Sequence, residues 1–383
     1  MKKLVIIGAN NFQRPLIQKA RTLGLETHVF AWEKGAVGRE FADHFYPISI
    51  IEKNRILEEA RRIEPDGVLS IGSDLAIITV NYLAKQLGLI GNSPECTRVT
   101  TDKLAMRLRL SQCGLPCPRF SDASDVAKIL NDCGDFPLIV KPLDRSGSRG
   151  VTLARSAGEL GRAIERAQEQ SFQHRHIVEE FVTGREYSVE MISWQGEHYF
   201  LQVTEKETSG APFFVEKAHH QPADLPEPMI EKIIDIVRKS LNCLGVEFGA
   251  SHSEVLLTDD DEVFIVEIGA RMGGDYIGSH LVELSTGYDF VRGAIYVALG
   301  RFGAVVKTKK LYSGIHYVFA KQGILKSVEN RCYEYPEIVF NEVYFHVGGE
   351  TRDARESNDR AACYVYQCES GKHVSPEELI VLK

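Results

Sequence analysis

The stretch SEVLLTDDDEVFIVEIGAR (Ser253–Arg271) sets two apolar runs on either side of an acidic turn. β-branched runs of this length, broken by a cluster of turn residues, predict a hairpin with Asp259–Glu262 as its loop. Matching the apolar residues sets Thr258 against Val263, Leu256 against Ile265 and Glu254 against Glu267. Two glutamates then face each other across a ladder whose strands are otherwise buried. Like charges in that position oppose pairing, and a buried carboxylate without a partner costs on the order of several kcal/mol. Two arrangements remove the conflict. Either the hairpin lies at an edge with both glutamates in water, or a divalent cation suited to hard oxygen ligands, such as Mg²⁺, is shared between them.

The remaining chain limits what such a hairpin can belong to. A chain of 383 residues is long enough for two or three packed domains. Its formal charge of −8 argues against a dedicated nucleic-acid or anionic-membrane binder. No apolar run approaches the length of a membrane span, and the one opening MKKLVIIGANN stops at Ala9, too short for a signal sequence. The eight cysteines are scattered without metal-binding spacing. They read as reduced thiols of a cytoplasmic enzyme, with Cys243 and Cys363 buried.

Strands and helices alternate at the start: KLVIIGA, PLIQKARTLGL (ending near Gly24), ETHVFAW, NRILEEARRIEP, DGVLSIG and LAIITVNYLAKQLGL. That order predicts a parallel sheet covered by helices. GANNFQ follows the first strand but lacks GxGxxG, so no NAD is expected there. The crevice at the strand ends, near Gly8 and Ser73–Asp74, is a candidate ligand site, with a helix cap at Asp74 the alternative.

A helical stretch follows from Ser93, with Thr101 or Asp102 as a cap and Gly114 and Pro116 closing it. DFPLIV then reads as a buried strand leading into KPLDRSGSRGV (Lys141–Val151). Small residues let backbone N–H groups converge on a phosphate, and flanking cations would hold its charge. The same composition also describes an ordinary hairpin tip. HIVEEFVTGREYSVEMI places two carboxylates at a strand end and opens another strand at Glu186. ETSGAPFFVEKAHHQP reads as an ordered loop, and the chain after Phe302 as strand-rich, with LYSGIHYVFA, EIVFNEVYFHV and RAACYVYQC.

A lysine in a KP strand, a glycine loop, an acidic linker and a paired-glutamate hairpin thus follow in order from Lys141 to Glu267. In that set the chain resembles ATP-grasp enzymes of the carboxylate–amine ligase branch, and GARMGGDYIGSHLVELSTG is most similar to L-amino acid ligases. The resemblance implies an α/β architecture: a pre-ATP-grasp αβ domain (1–95), an ATP-grasp domain of two α+β subdomains clasping ATP (96–302, with a mobile lid at about 116–183) and a small strand-rich C-terminal domain (303–383). It implies ATP and Mg²⁺, with Mn²⁺ as an alternative ion. Lys141 would reach the α-phosphate and adenine edge, Lys103 the phosphates from the other side, and Ser146, Gly147, Ser148 and Gly150 would close over the β- and γ-phosphates. In VEEFV, Glu179 would accept from the adenine amino group, and Glu180, Phe181 and Val182 would run along the ring. Glu186 would hold the ribose, while His220 lies where some relatives approach the nucleotide or is simply a loop histidine. Glu254 and Glu267 would hold Mg²⁺, and Arg271, with Lys141, would act in catalysis on the substrate carboxylate or acyl phosphate.

Where many relatives place an Asn metal ligand two residues after the second glutamate, this chain has Gly269. A second ion would then bind weakly or lean on phosphate and water. The activity implied is amide formation from a small carboxylate, an amino acid above all, and an amine, with ADP and phosphate released. Both substrates would be small molecules, with neither nucleic acid nor membrane as partner, and the family allows a homodimer. Two alternatives stand beside it: a formate- or bicarbonate-using enzyme of purine type, although the PR pair common there is missing from EIGARMGG, and an ATP-binding regulatory protein without catalysis.

Overall fold

The computed structural model describes residues 1–211, 213–371 and 379–382. At the N-terminus four parallel strands lie in the order His44–Tyr46, Glu26–Phe30, Lys3–Ile7 and Gly67–Leu69. Leu4, Ile6 and Val29 face one helical layer and Val5, Ile7 and Phe30 the other, so both sheet faces are covered. The predicted alternation is present, with the short edge strand His44–Tyr46 added to it. Helix Asp74–Leu87 is capped by Ser73, whose hydroxyl accepts from Ala76 N–H; Asp74 is its first residue and not its cap. The next stretch splits into helices Pro94–Thr101 and Lys103–Gln112, and the Asp102 carboxylate caps the second by accepting from Ala105 N–H.

Two larger antiparallel sheets carry most of the rest, beside two short two-stranded ones, Gly323–Ile324 with Glu350–Thr351 and Val328–Asn330 with Ile380–Leu382. A four-stranded sheet runs Phe120–Ser121, His176–Glu180, Leu138–Pro142 and Thr152–Ala154. An eight-stranded sheet runs Val263–Gly269, Gly249–Leu257, Arg185–Trp194, Glu197–Thr208, Glu216–Gln221, Tyr312–Phe319, Arg360–Cys368 and Ile338–Val343. After Phe302, Tyr312–Phe319, Arg360–Cys368 and Ile338–Val343 therefore extend the same sheet that holds the paired glutamates. They connect to it through Glu216–Gln221, which the sequence reading assigned to a loop; Pro212 of that loop lies outside the described residues. The error has a physical source. Glu216, His219 and Gln221 are buried here, and polar buried residues erase the apolar alternation by which a strand is recognised.

Helices Lys103–Gln112 and Glu227–Cys243 cover one face of the large sheet, against Tyr187, Val189, Met191, Val203, Val255 and Leu257. Period-two alternation then turns Glu186, Ser188, Glu190, His252, Glu254 and Lys206 to the other face. The ends of those two helices are joined by a disulfide, Cys113–Cys243, which corrects the expectation that all the cysteines are reduced. Cys363 is buried, as expected. Among the described residues no helix is long and apolar enough to cross a membrane.

Candidate active site

A cavity of about 430 Å³ opens between the four-stranded sheet and the polar face of the large one. The hairpin forms one wall. Its register does pair Glu254 with Glu267, but not by uniform matching. Next to the turn Leu257 pairs with Val263 and Val255 with Ile265, one step from the predicted alignment. A bulge then inserts Val266 and restores the predicted register at the glutamates. The extra residue puts both Val266 and Glu267 on the cavity wall, and its carbonyl is taken by Arg107 Nη2 at 2.6 Å.

Each lysine facing the cavity is held by carboxylates. Lys103 Nζ lies 2.8 Å from Glu267 and 2.8 Å from the Arg145 carbonyl, tying strand Val263–Gly269 to the glycine loop. Lys141 Nζ lies 2.6 Å from Glu179. Lys206 Nζ lies 2.5 Å from Glu186, 2.7 Å from Glu254 and 3.6 Å from Glu216. Burial alone would lower the lysine pKa values and raise those of the acids. The facing charges outweigh it, so Lys206 is held well above, and Glu254 well below, their ordinary ranges. The two glutamates therefore meet cations and not each other. Next to them the His252 imidazole, 2.5 Å from fully buried Glu190, is pushed up to about 9 despite its burial, because Glu190 favours the charged form. Gly273 makes room for that pair: a Cβ there would lie 2.8 Å from His252 Nδ1.

Arg271 is clamped from the N-terminal domain. Its Nε and Nη2 donate to Asp74 Oδ1 and Oδ2 at 2.8 and 3.0 Å, and Nη1 to the Met272 carbonyl at 3.3 Å. Burial would raise the Asp74 carboxyl; Arg271 brings it below its usual range. The clamp crowds position 269: a Cβ there would come to 3.1 Å from Arg271 Cζ and 3.1 Å from Asp74 Oδ1, so a larger residue would press on the pair.

Of the residues expected to contact nucleotide, Lys103, Lys141, Ser146, Gly147, Ser148, Glu180, Phe181, Val182 and Glu186 line the cavity together with Glu254, Glu267 and Arg271. Three assignments need correction. His220 points away, with Nδ1 2.8 Å from the Tyr366 hydroxyl and Nε2 2.8 Å from Glu207. Gly150 is off the wall; it turns the chain at φ +74° against Pro142 and Gln170, where a Cβ would come within 2.9 Å of Pro142. Glu179 lines the cavity, but its side chain is 0% exposed and lies between Lys141 and Arg107 Nε, the latter at 2.7 Å as an ion pair without hydrogen-bond alignment. In this structure its carboxylate is taken up by Lys141 and Arg107.

Glu179 also makes a prediction about acid stability. Burial would raise its carboxyl, but Arg107 and Lys141 bring it down to about 2, against an ordinary value of 4.5. A depressed folded pKa contributes stability above the unfolded value, and that contribution is lost as pH falls from about 4.5 towards 2. Urea midpoints taken between pH 5 and 3 should therefore drop more steeply in the wild type than in Glu179→Gln. Parallel curves would clear Glu179 of any part in acid unfolding.

Sequence reasoning missed Lys206, Arg107, Glu190, His252 and Glu216. Lys206 had a readable signal, since LQVTEKET alternates apolar and polar residues up to it. Arg107 had none, because a helical arginine usually lies in water.

The donors suit a divalent cation: two carboxylates in register on one wall, with Glu254 kept ionised, match the hard-oxygen preference of Mg²⁺. Residues 134–279 match the family described as the ATP-grasp domain. Those residues therefore carry an ATP-grasp domain. It is 25% identical over 333 residues to carnosine synthase 1 of Homo sapiens, covering 78% of this chain and 40% of that one. It is also 25% identical over 282 residues to a formate-dependent phosphoribosylglycinamide formyltransferase of Prochlorococcus marinus, covering 67% and 69%. Among solved structures, an L-amino acid ligase from Bacillus licheniformis superposes with a TM-score of 0.83 at 22% identity, over 97% of this chain and 94% of that one. The chain spans less than half the length of the first two curated relatives it matches.

Proposed function

We propose that this ATP-grasp chain is an ATP- and Mg²⁺-dependent ligase that activates a small carboxylate, of the amino-acid class, as an acyl phosphate and couples it to an amine. The observation that carries the reading is the pairing of two cleft lysines, Lys103 and Lys206, with an in-register glutamate pair beside an arginine clamp, all on one cavity with Lys141. Glu254 and Glu267 would hold Mg²⁺, which when bound withdraws charge from the phosphates. Lys103, Lys141 and Lys206 are placed to exchange their carboxylate partners for phosphate oxygens, an exchange between charge-assisted contacts of similar kind. Ser146–Ser148 would lie over the phosphates, and Phe181, Val182 and Glu186 would take the base and ribose.

Arg271 would receive the substrate carboxylate. With Nε and one Nη2 proton given to Asp74, and Nη1 giving one to Met272, the guanidinium keeps N–H donors that can meet an anion. The carboxylate oxygen attacks the γ-phosphorus, forming the C–O–P bond as ADP leaves. The amine then adds to the acyl carbon and phosphate departs with the acyl oxygen, after which the amine proton is lost to solvent. Enclosing the acyl phosphate keeps water from it, and we assign that task to the four-stranded sheet and its glycine loop as a lid spanning about 116–183, hinged between a 1–95 domain and the large sheet. Glu180 ties the lid strand to Arg119, whose N–H and Nε it accepts at 2.8 and 2.7 Å.

The test is release of ADP and phosphate from MgATP across a matrix of amino acids, small acids and amines, with products read by mass spectrometry. Amide product from an acid–amine pair supports the reading. A formylated or carboxylated product, obtained only with formate or bicarbonate, would favour the purine-type alternative to which the formyltransferase similarity points.

A further inference from the structure

On the edge strand His44–Tyr46 of the N-terminal sheet and its neighbour Glu26–Phe30, three side chains converge. Parallel pairing sets His28 beside His44, and Glu26 lies two residues before His28 on the same strand face. The two imidazoles stack with centroids 4.5 Å apart and planes 18° from parallel. Both Nε2 atoms lie 3.1 Å from one oxygen, Glu26 Oε1. One ligand atom from each of the three residues falls within 4.8 Å of the others. A tetrahedral ion bonded at about 2.0–2.1 Å sets its ligand atoms about 3.3 Å apart, so small side-chain rotations bring the trio to bonding geometry.

The surroundings favour the same use. His28 Nδ1 lies 3.1 Å from the Tyr46 hydroxyl, which can accept an Nδ1–H and so leave the Nε2 lone pair free, the outer contact that metal-bound histidines ordinarily have. His28 is buried and fixed, whereas the His44 side chain is 50% exposed, which gives an ion a route in from solvent. Two imidazoles and one carboxylate suit zinc and its neighbours better than Mg²⁺.

We propose that Glu26, His28 and His44 form a site for a divalent transition-metal ion of the zinc class, completed by water. Glu26 opens its strand, and at the opposite end of this parallel sheet the neighbouring strands Lys3–Ile7 and Gly67–Leu69 lead to Gly8 and Gly72, the latter bonded to the Met272 carbonyl beside the cleft. The ion would thus bind away from the reacting groups and pin the edge strand His44–Tyr46 to its neighbour. This proposal does not depend on the ligase reading.

The test uses the full-length, tag-free, chelator-treated chain and Zn²⁺ alone, titrated by calorimetry, with Co²⁺ absorption as a second probe. The cleft carboxylates also attract divalent ions, so the site is read from variants. His44→Ala and Glu26→Gln change exposed or half-exposed groups and leave the core intact. Each should lose one zinc equivalent or bind it at least tenfold more weakly. Each should also lose the zinc-dependent rise in thermal midpoint while keeping wild-type turnover with MgATP. Equal zinc stoichiometry and affinity in wild type and His44→Ala would overturn the proposal, as would the absence of zinc binding at micromolar concentrations.

Discussion

Substituting Glu267 by Gln should cut ATP turnover by more than tenfold, a barrier increase above about 1.4 kcal/mol. The change keeps the volume of the side chain and removes its charge. In the structure that charge anchors Lys103 at 2.8 Å, and through Lys103 the Arg145 carbonyl and glycine loop, and it faces Glu254 across the ladder, where the two would form the proposed cation site. Gln can accept one hydrogen bond from Lys103 but offers a divalent ion a neutral oxygen in place of an anionic one. Steady-state ADP release, titrated with Mg²⁺, should show a lower plateau and a higher Mg²⁺ requirement. Wild-type turnover at low Mg²⁺ in this variant would remove Glu267 from the metal site. Glu254→Gln should behave alike, with an added loosening of Lys206, which would keep Glu186 and Glu216.

The second large effect should come from the Asp74–Arg271 clamp. Asp74→Asn replaces one acceptor by an amide N–H that repels the guanidinium, so the fork that orients Arg271 is lost. We expect at least a tenfold fall in kcat with the ATP KM changed by less than about threefold, the pattern of an interaction made mainly in the transition state. Arg271→Lys should show the same split, because an ammonium cannot reproduce a two-point contact. Gly269→Asn gives the sharpest contrast. It installs the residue found in many relatives, yet the Cβ alone would press on Arg271 and Asp74 at 3.1 Å, so activity should fall and not rise. Steady-state kinetics with thermal midpoints as a folding control would check all three. A gain of activity in Gly269→Asn, or a loss confined to ATP binding in Arg271→Lys, would contradict this role for the clamp.

Much of this was legible from residues alone, and where it was not the reasons are physical. The glutamate pairing could be read because apolar residues on both strands demand one face. The off-register turn could not, since the Val266 bulge changes pairing without changing composition, and a slip of one residue turns every side chain over. Glu216 was overlooked because a sheet face that lines a charged cavity loses the apolar alternation by which strands are recognised. His220 was read as part of a loop, whereas it lies on strand Glu216–Gln221 and turns to Tyr366. The Cys113–Cys243 link joins residues 130 apart, and no local spacing announces it. Asp74 had been noted only as a crevice or cap residue, because its partner lies 197 positions along the chain.

The central claim is that a carboxylate is activated by phosphorylation in the Lys103–Lys141–Arg271 cleft. The most direct measurement follows oxygen-18 from a labelled acid substrate during turnover with MgATP and an amine, reading nucleotide and phosphate products together. This account predicts ADP, one oxygen-18 atom transferred into the released phosphate, and an amide that has lost that label. AMP with pyrophosphate, or phosphate free of label while amide accumulates, would contradict it.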